Sequence, residues 1–335
     1  MSKLRRRVDA KAAESGFAGV VRLERSGVVE LDAAYGLADR AHGIPMTTDT
    51  RLGMASGSKT FTALVTMRLV EQGLLSLSTT AREVLGADLP LIADDVTIEH
   101  LLSHRSGIGD YLDEDVLDSE DYPMPVSVHR LVTTEDFLPI LDGYATKFPT
   151  GERFSYCNGS FVVLALIAER LAGPSYHHLV RELVCSPAEM THTDFLRSDA
   201  LPGTAALGYV EVEGQWRTNV FHLPVVATGD GGAYTTTSDM SRFWEALMSG
   251  RIVTAESLSE MRRPRSEPDP GESDCYGLGV WVSSDSSEIT MSGGDAGVSF
   301  WSRHHPVRGT TATVIGNTMN GAWPVAEVIE SLAAG

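Results

Sequence analysis

Apolar and polar positions change their period twice along the 335-residue chain, leaving strand-like ends and a helix-like middle. After an amphipathic opening segment, Phe17 to Tyr35 alternates around Ser26-Gly27, the pattern of an antiparallel strand pair joined by a tight turn. From Lys59 to Gln72 the spacing becomes helical. Leu64, Met67 and Val70 share one face, and Gly73 ends the run. Helical spacing recurs over Val96 to Ser103 and Gly159 to Leu171, the latter closed by Gly173-Pro174. Asp110 to Val126, acidic and proline-bearing, reads as a surface loop. Beyond Gly229 the strand texture returns in CYGLGVWV around Tyr276, then SEITM, VSFWSRH and TTATVIGN, before a last helix from Val325 to Ala334.

With strands at both ends and helices between, the economical architecture is α+β. One antiparallel sheet built from both termini is flanked by helices, and a mostly helical region is inserted. The expected division is 1–57 with 229–335 for the sheet region and 58–228 for the helical region. They form one catalytic unit with the active site between them. The chain has no internal repeat and no low-complexity tract.

Composition narrows the function. There are 27 basic against 45 acidic side chains, a formal charge of −18, and only four lysines: Lys3, Lys11, Lys59 and Lys147. Such a surface repels phosphate backbones and anionic lipid, so neither nucleic acid nor a membrane is an expected partner. MSKLRRR is cationic but leads into no apolar stretch, and no apolar run of ~18 residues follows, so a soluble, cytoplasmic protein is expected. Cys157, Cys185 and Cys275 are odd in number and far apart, which favours reduced thiols over disulfides or a zinc cluster. No cofactor is implied.

Ser56-Gly57-Ser58-Lys59 opens the first strong helix. A separation of three sets the hydroxyl and the amine on one face of its first turn, where unpaired amides favour a developing alkoxide. That makes Ser56 a candidate nucleophile. The plainer reading is Ser56 as an N-cap with Lys59 in solvent. Gly53 to Thr60 also misses a phosphate-binding loop by one glycine, but TTDTRLGMA is too polar for the buried strand that loop requires. In Tyr156-Cys157-Asn158, a phenol and an amide two residues apart point the same way, fit for proton exchange with a serine and for holding a lysine. The plainer reading is a half-buried tyrosine and a helix-capping asparagine. His100 and His104 stand at i, i+4, but HLLSH lacks the glutamate of a metalloprotease helix, so no metal site is assigned.

Taken with GLADRAHGIPMTTDTRLGMASGSKTFTA, TIEHLLSHRSGI, FPTGERFSYCNGSF, CSPAEMTHTDF, GDGGAYTTTSDMSRFWEAL, YGLGVWV and SGGDAGVSF, these motifs resemble the serine β-lactamase-related hydrolases. That group contains class C β-lactamases, D-alanyl-D-alanine carboxypeptidases, D-aminopeptidases and esterases of the same fold. The likeness runs from about residue 17 to the C-terminus. It implies that Ser56 is acylated, that Lys59 and Tyr156 form its acid/base apparatus, and that Asn158 orients lysine and substrate. It also implies an oxyanion site from the N–H groups of Ser56 and Gly294.

The chain departs from the group at the third motif, where relatives carry Lys-Thr-Gly or His-x-Gly. Here Met291-Ser292-Gly293-Gly294 occupies the place, with Met291 for the cation, and all four residues are expected along the substrate. Arg303, His304 or His305 could supply a cation from elsewhere. Asp295 is either a turn residue or faces the cleft, and Tyr234, Trp244, Trp281 and Trp301 are expected to pack in the core. The expectation is a serine hydrolase acting on a small ester or amide, an esterase or amidase rather than a potent β-lactamase. The competing reading is a binding protein of the same fold without turnover.

Overall fold

Val20 and Val21 are both fully buried, which requires a strand covered on both faces. In the computed structural model, which describes residues 2–117, 124–267, 274–285 and 287–333, they lie on β1 (Gly19–Arg25). It is joined to β2 (Val28–Tyr35) through Ser26 and Gly27, both at positive φ, as the alternation predicts. Five further strands come from the other end of the chain: β3 (Asp274–Tyr276), β4 (Trp281–Ser283), β5 (Ile289–Asp295), β6 (Val298–His305) and β7 (Thr310–Gly316). The seven form one antiparallel sheet in the order β2-β1-β7-β6-β5-β4-β3.

Five helices frame that sheet: α1 (Lys3–Ser15), α2 (Lys59–Glu71), α3 (Asn158–Ala172), α4 (Thr237–Met248) and α5 (Trp323–Ala333). Strand alternation sorts the cores. Val21 and Val314, paired across β1 and β7, join the apolar cluster under the terminal helices, with Val8, Ala12, Val325 and Ile329. Their neighbours Val20 and Ile315 join the larger cluster on the other face, with Phe61, Leu64, Phe243 and Trp244 from α2 and α4.

Two readings change. The period over Lys59 to Gln72 implies one apolar face, whereas residues 59–67 of α2 are all buried. The helix runs through the core, and its threonines are accommodated because Thr62 Oγ1 donates to the Gly229 carbonyl and Thr66 Oγ1 to that of Thr62. The Asp110 to Val126 segment is not wholly a surface loop: Asp110 and Tyr111 are buried. Its residues 118–123, and the predicted helix's last residue, 334, lie outside the described residues. A short hairpin, Tyr209–Val212 with Gln215–Thr218, was not read from the sequence.

Candidate active site

Ser56 sits in a tight turn, Ala55–Ser58, that runs straight into α2. Ala55 at φ 44° is a rare conformation for a side-chain-bearing residue. The turn is held by Ser58 Oγ, which accepts the Ala233 N–H at 3.0 Å, and by Phe300, whose ring leaves no room for a Cβ at Gly57. Strand β5 passes against it so closely that a Cβ on Gly293 would lie 2.7 Å from the Ser56 nitrogen. Glycine is required there by this approach.

Lys59 is 2% exposed, so the reading of a solvated lysine fails. Its Nζ lies 2.8 Å from Ser56 Oγ, 2.7 Å from Asn158 Oδ1 and 2.6 Å from the Asp230 carbonyl oxygen. Burial lowers its pKa, against the opposing pull of Asp230, Glu114, Asp110 and Asp295. A neutral amine has two N–H donors and one lone pair. The amide and carbonyl oxygens can only accept, so a neutral Lys59 spends both donors on them and directs its lone pair at the Ser56 hydroxyl.

Tyr156 brings its ring 4.9 Å from Lys59 Nζ and packs against His104 at a tilt, ring centres 4.3 Å apart. Burial and then Glu114 push its pKa well up, while a hydrogen bond with Ser56 pulls the other way. The resting residue is therefore a phenol. Asn158 begins α3, yet its amide does not cap that helix. Its Oδ1 receives Lys59, and its Nδ2 donates to the Leu112 carbonyl and to Glu114 Oε1, each at 2.9 Å. Its contacts hold the lysine and the loop beside it.

The Beta-lactamase family model matches residues 4–333. The chain belongs to the Beta-lactamase family. It is 36% identical to a penicillin-binding protein from Bacillus halodurans, whose crystal structure superposes with a TM-score of 0.91 over 97% of this chain and 99% of that one. It is 29% identical to the D-aminopeptidase of Brucella anthropi over 79% of this chain and 49% of the relative. To esterase EstB of Burkholderia gladioli it is 28% identical, over 76% of this chain and 72% of the relative. The chain spans about half to two thirds of the length of the first curated relatives that it matches.

Within this Beta-lactamase-family chain, Ser56, Lys59, Tyr156 and Asn158 come together, while Met291 does not join them on the cleft wall. It is 1% exposed in the large core, on the face of β5 opposite Thr290 and Ser292. The cleft has two lobes that share Ser56, Glu114 and Gly294. One contains Tyr156, Phe154, Trp281 and Trp301 with Thr290, Ser292, Gly293 and Arg303. The other contains Asn158, Asp230, Asp295, Ser198, His222 and Tyr234 among its walls. Trp281, Trp301 and Tyr234 thus do more than pack the core, as only Trp244 does.

Of the substitutes for the missing cation, Arg303 alone reaches the cleft. It is bound by Asp274 at 3.0 Å, Glu288 at 3.1 Å and Glu330 at 2.6 Å. His304 stacks on Trp244 instead, and His305 pairs with Thr310. His100 Nδ1 accepts the Thr97 N–H, whereas His104 Nδ1 accepts that of Cys157. Ser56 to Lys59 forms no phosphate cradle, because Ser58 and Lys59 are already engaged within the protein. Asp110, Tyr111, Glu114 and Asp230 were not singled out as site residues. The density of acids in YLDEDV and the glycines around Asp230 in GDGG were the available signals.

No helix among the described residues is long and apolar enough to cross a membrane.

Proposed function

We propose that the protein is a serine hydrolase that cleaves an ester or amide bond of a small molecule through an acyl-enzyme on Ser56. The observation that carries this is the buried Lys59, its amine held by two acceptors and aimed at the Ser56 hydroxyl. Ser56 Oγ attacks the carbonyl carbon as its proton passes to Lys59, and the oxyanion is received by the N–H groups of Ser56 and Gly294. The leaving atom takes a proton through the Lys59–Tyr156 pair as its bond to the carbonyl breaks. Water then attacks the acyl-enzyme by the reverse route and frees the acid.

With Met291 in the core, the third motif offers no cation to a substrate carboxylate, and Arg303, which reaches the cleft, is paired with Asp274, Glu288 and Glu330, which supports esters or amides over β-lactams and peptidoglycan peptides. In this reading the cleft lies between the sheet region, 1–57 with 229–335, and the helical region, 58–228. A cytoplasmic setting is part of the proposal and is in keeping with three buried, unpaired cysteines.

Hydrolysis of nitrophenyl acetate by the wild type and by Ser56→Ala tests the assignment, with loss of turnover expected in the variant. Mass spectrometry after a fluorophosphonate should place an adduct on Ser56. A persistently unlabelled serine would instead support the binding protein without turnover.

A further inference from the structure

Tyr156 is held in place by a buried residue that takes no part in the proposed proton transfers. His104 follows the short helix Ile98–Leu102 and takes φ 55°, in the left-handed region that side-chain-bearing residues rarely enter. From there it meets the segment that carries the phenol. Its carbonyl accepts the Ser155 N–H at 2.9 Å, and its ring Nδ1 accepts the Cys157 N–H at 3.0 Å. The amides of both residues that flank Tyr156 therefore end on one residue. The same imidazole lies against the Tyr156 ring, centres 4.3 Å apart. The neighbouring backbone extends the attachment: the Arg105 carbonyl accepts the Gly151 N–H and the Gly107 carbonyl that of Lys147, each at 2.8 Å.

The chemistry of the ring shows what it is kept for. A backbone N–H can only donate, so Nδ1 is the unprotonated nitrogen and the proton of the neutral ring sits on Nε2. Nε2 is buried and has no hydrogen-bond partner among the described residues. Around the imidazole stand the rings of Phe154, Phe161 and Tyr276 as well as Tyr156, centres 4.3 to 5.8 Å away. An N–H enclosed in this way is costly. Phenylalanine would fill the same aromatic setting without that cost, and would lack only the acceptor for Cys157. His104 is 0% exposed, and burial, followed by the nearness of Lys59, holds its pKa well below the ordinary histidine value. A neutral ring is required, because a proton on Nδ1 would turn the acceptor into a second donor facing the Cys157 N–H.

Resting on the serine-hydrolase reading for the role of the phenol, we propose that His104 is a positioning residue for Tyr156: by fixing the main chain on either side, it sets the phenol where a proton is returned to the leaving atom. His104 lines neither lobe of the cleft and exchanges no proton. Its effect is confined to the step that Tyr156 serves, the departure of a basic leaving group.

Esters that differ only in leaving group separate this hold from general packing. Ethyl acetate and nitrophenyl acetate give the same acetyl-enzyme, but ethoxide is too basic to leave without a proton and nitrophenolate is not. His104→Phe should lower kcat/KM at least about tenfold on ethyl acetate and under about threefold on nitrophenyl acetate. His104→Asn keeps an acceptor near the place of Nδ1 and suits positive φ, so it should recover ethyl acetate to within about fivefold of the wild type. In a Tyr156→Phe background, His104→Phe should change kcat/KM by less than about twofold. Equal losses on the two esters, equal losses in the Phe and Asn variants, or a full additional loss in the Tyr156→Phe background overturns the proposal.

Two further readouts need no turnover. Amide exchange at Cys157 should be at least about tenfold faster in His104→Phe than in the wild type, with His104→Asn close to the wild type. Imidazole nitrogen NMR of the wild type should show Nδ1 unprotonated, and the opposite tautomer overturns the proposal even where the Phe variant does not fold. If exchange follows the expected order while Ser56 resists fluorophosphonate, His104 still fixes Tyr156 and the hydrolase reading fails.

Discussion

Asp110 holds the backbone of Asn158: its Oδ2 accepts the Asn158 N–H at 2.6 Å and its Oδ1 the Gly159 N–H at 2.9 Å. A carboxylate from a neighbouring loop thereby caps α3 and fixes the residue whose amide oxygen receives Lys59. Asp110→Ala should lower kcat about tenfold or more on a neutral ester with a smaller change in KM, because it disturbs the alignment of the base rather than a wall of the cleft. Loss of the cap should cost about 0.5–2 kcal/mol of stability, read by chemical denaturation.

The same residue gives stability a sign with pH. Burial outweighs its hydrogen bonds and raises its pKa from 3.8 to about 6. The folded state then binds the proton more tightly than the unfolded state. This contribution favours folding fully below pH 3.8 and is lost as pH rises from there through about 6. Asp110→Asn should flatten the wild type's decline over that interval, and equal slopes for the two proteins would contradict the account.

Lys59 sets a second pH dependence. Burial lowers its pKa from 10.5, and the proposed mechanism needs the free amine. On a neutral ester kcat/KM should rise with pH and level off below 10.5. Lys59→Met should lose activity by about 10²–10⁴-fold, the range for a positioned proton-transfer group. Burst and steady-state kinetics on nitrophenyl acetate would measure both.

The cleft was partly legible in the sequence, and what was missed shares one cause. Ser56, Lys59, Tyr156 and Asn158 stand in local patterns of three and two residues, so spacing alone proposes them. Asp110, Glu114 and Asp230 act on these residues from 44 to 171 positions away, and an acid that caps a distant helix looks like any loop acid. The strands were legible as short apolar runs, although β1 and β7 are covered on both faces and bury consecutive residues. Side-chain alternation explains Met291: it lies on the face of β5 opposite Thr290 and Ser292 and is buried in the large core rather than along the cleft.

Close approach separates two adjacent glycines. A Cβ at Gly293 would lie 2.6 Å from the Gly57 nitrogen and 2.7 Å from that of Ser56, whereas one at Gly294 would meet only Trp323 Cζ2, at 3.4 Å. Gly293→Ala should push the nucleophile's turn out of place, with about 1–3 kcal/mol of overpacking and a loss of kcat of tenfold or more. Gly294→Ala should cost less on both measures. A thermal-melt comparison and ester kinetics on the two variants test the order.

Met291→Lys would restore the family's side chain without restoring its role. At 1% exposure among apolar neighbours, the ammonium would enter the core, where an unpaired charge costs several kcal/mol. The expected result is a large fall in melting temperature with no gain in cephalosporin turnover. Met291→Leu, close in volume, should cost under about 1.5 kcal/mol and leave β-lactam hydrolysis as poor as in the wild type. A stable Met291→Lys protein that hydrolyses cephalosporins efficiently would show that this position reaches the cleft, and would return the third motif's cation to the reaction.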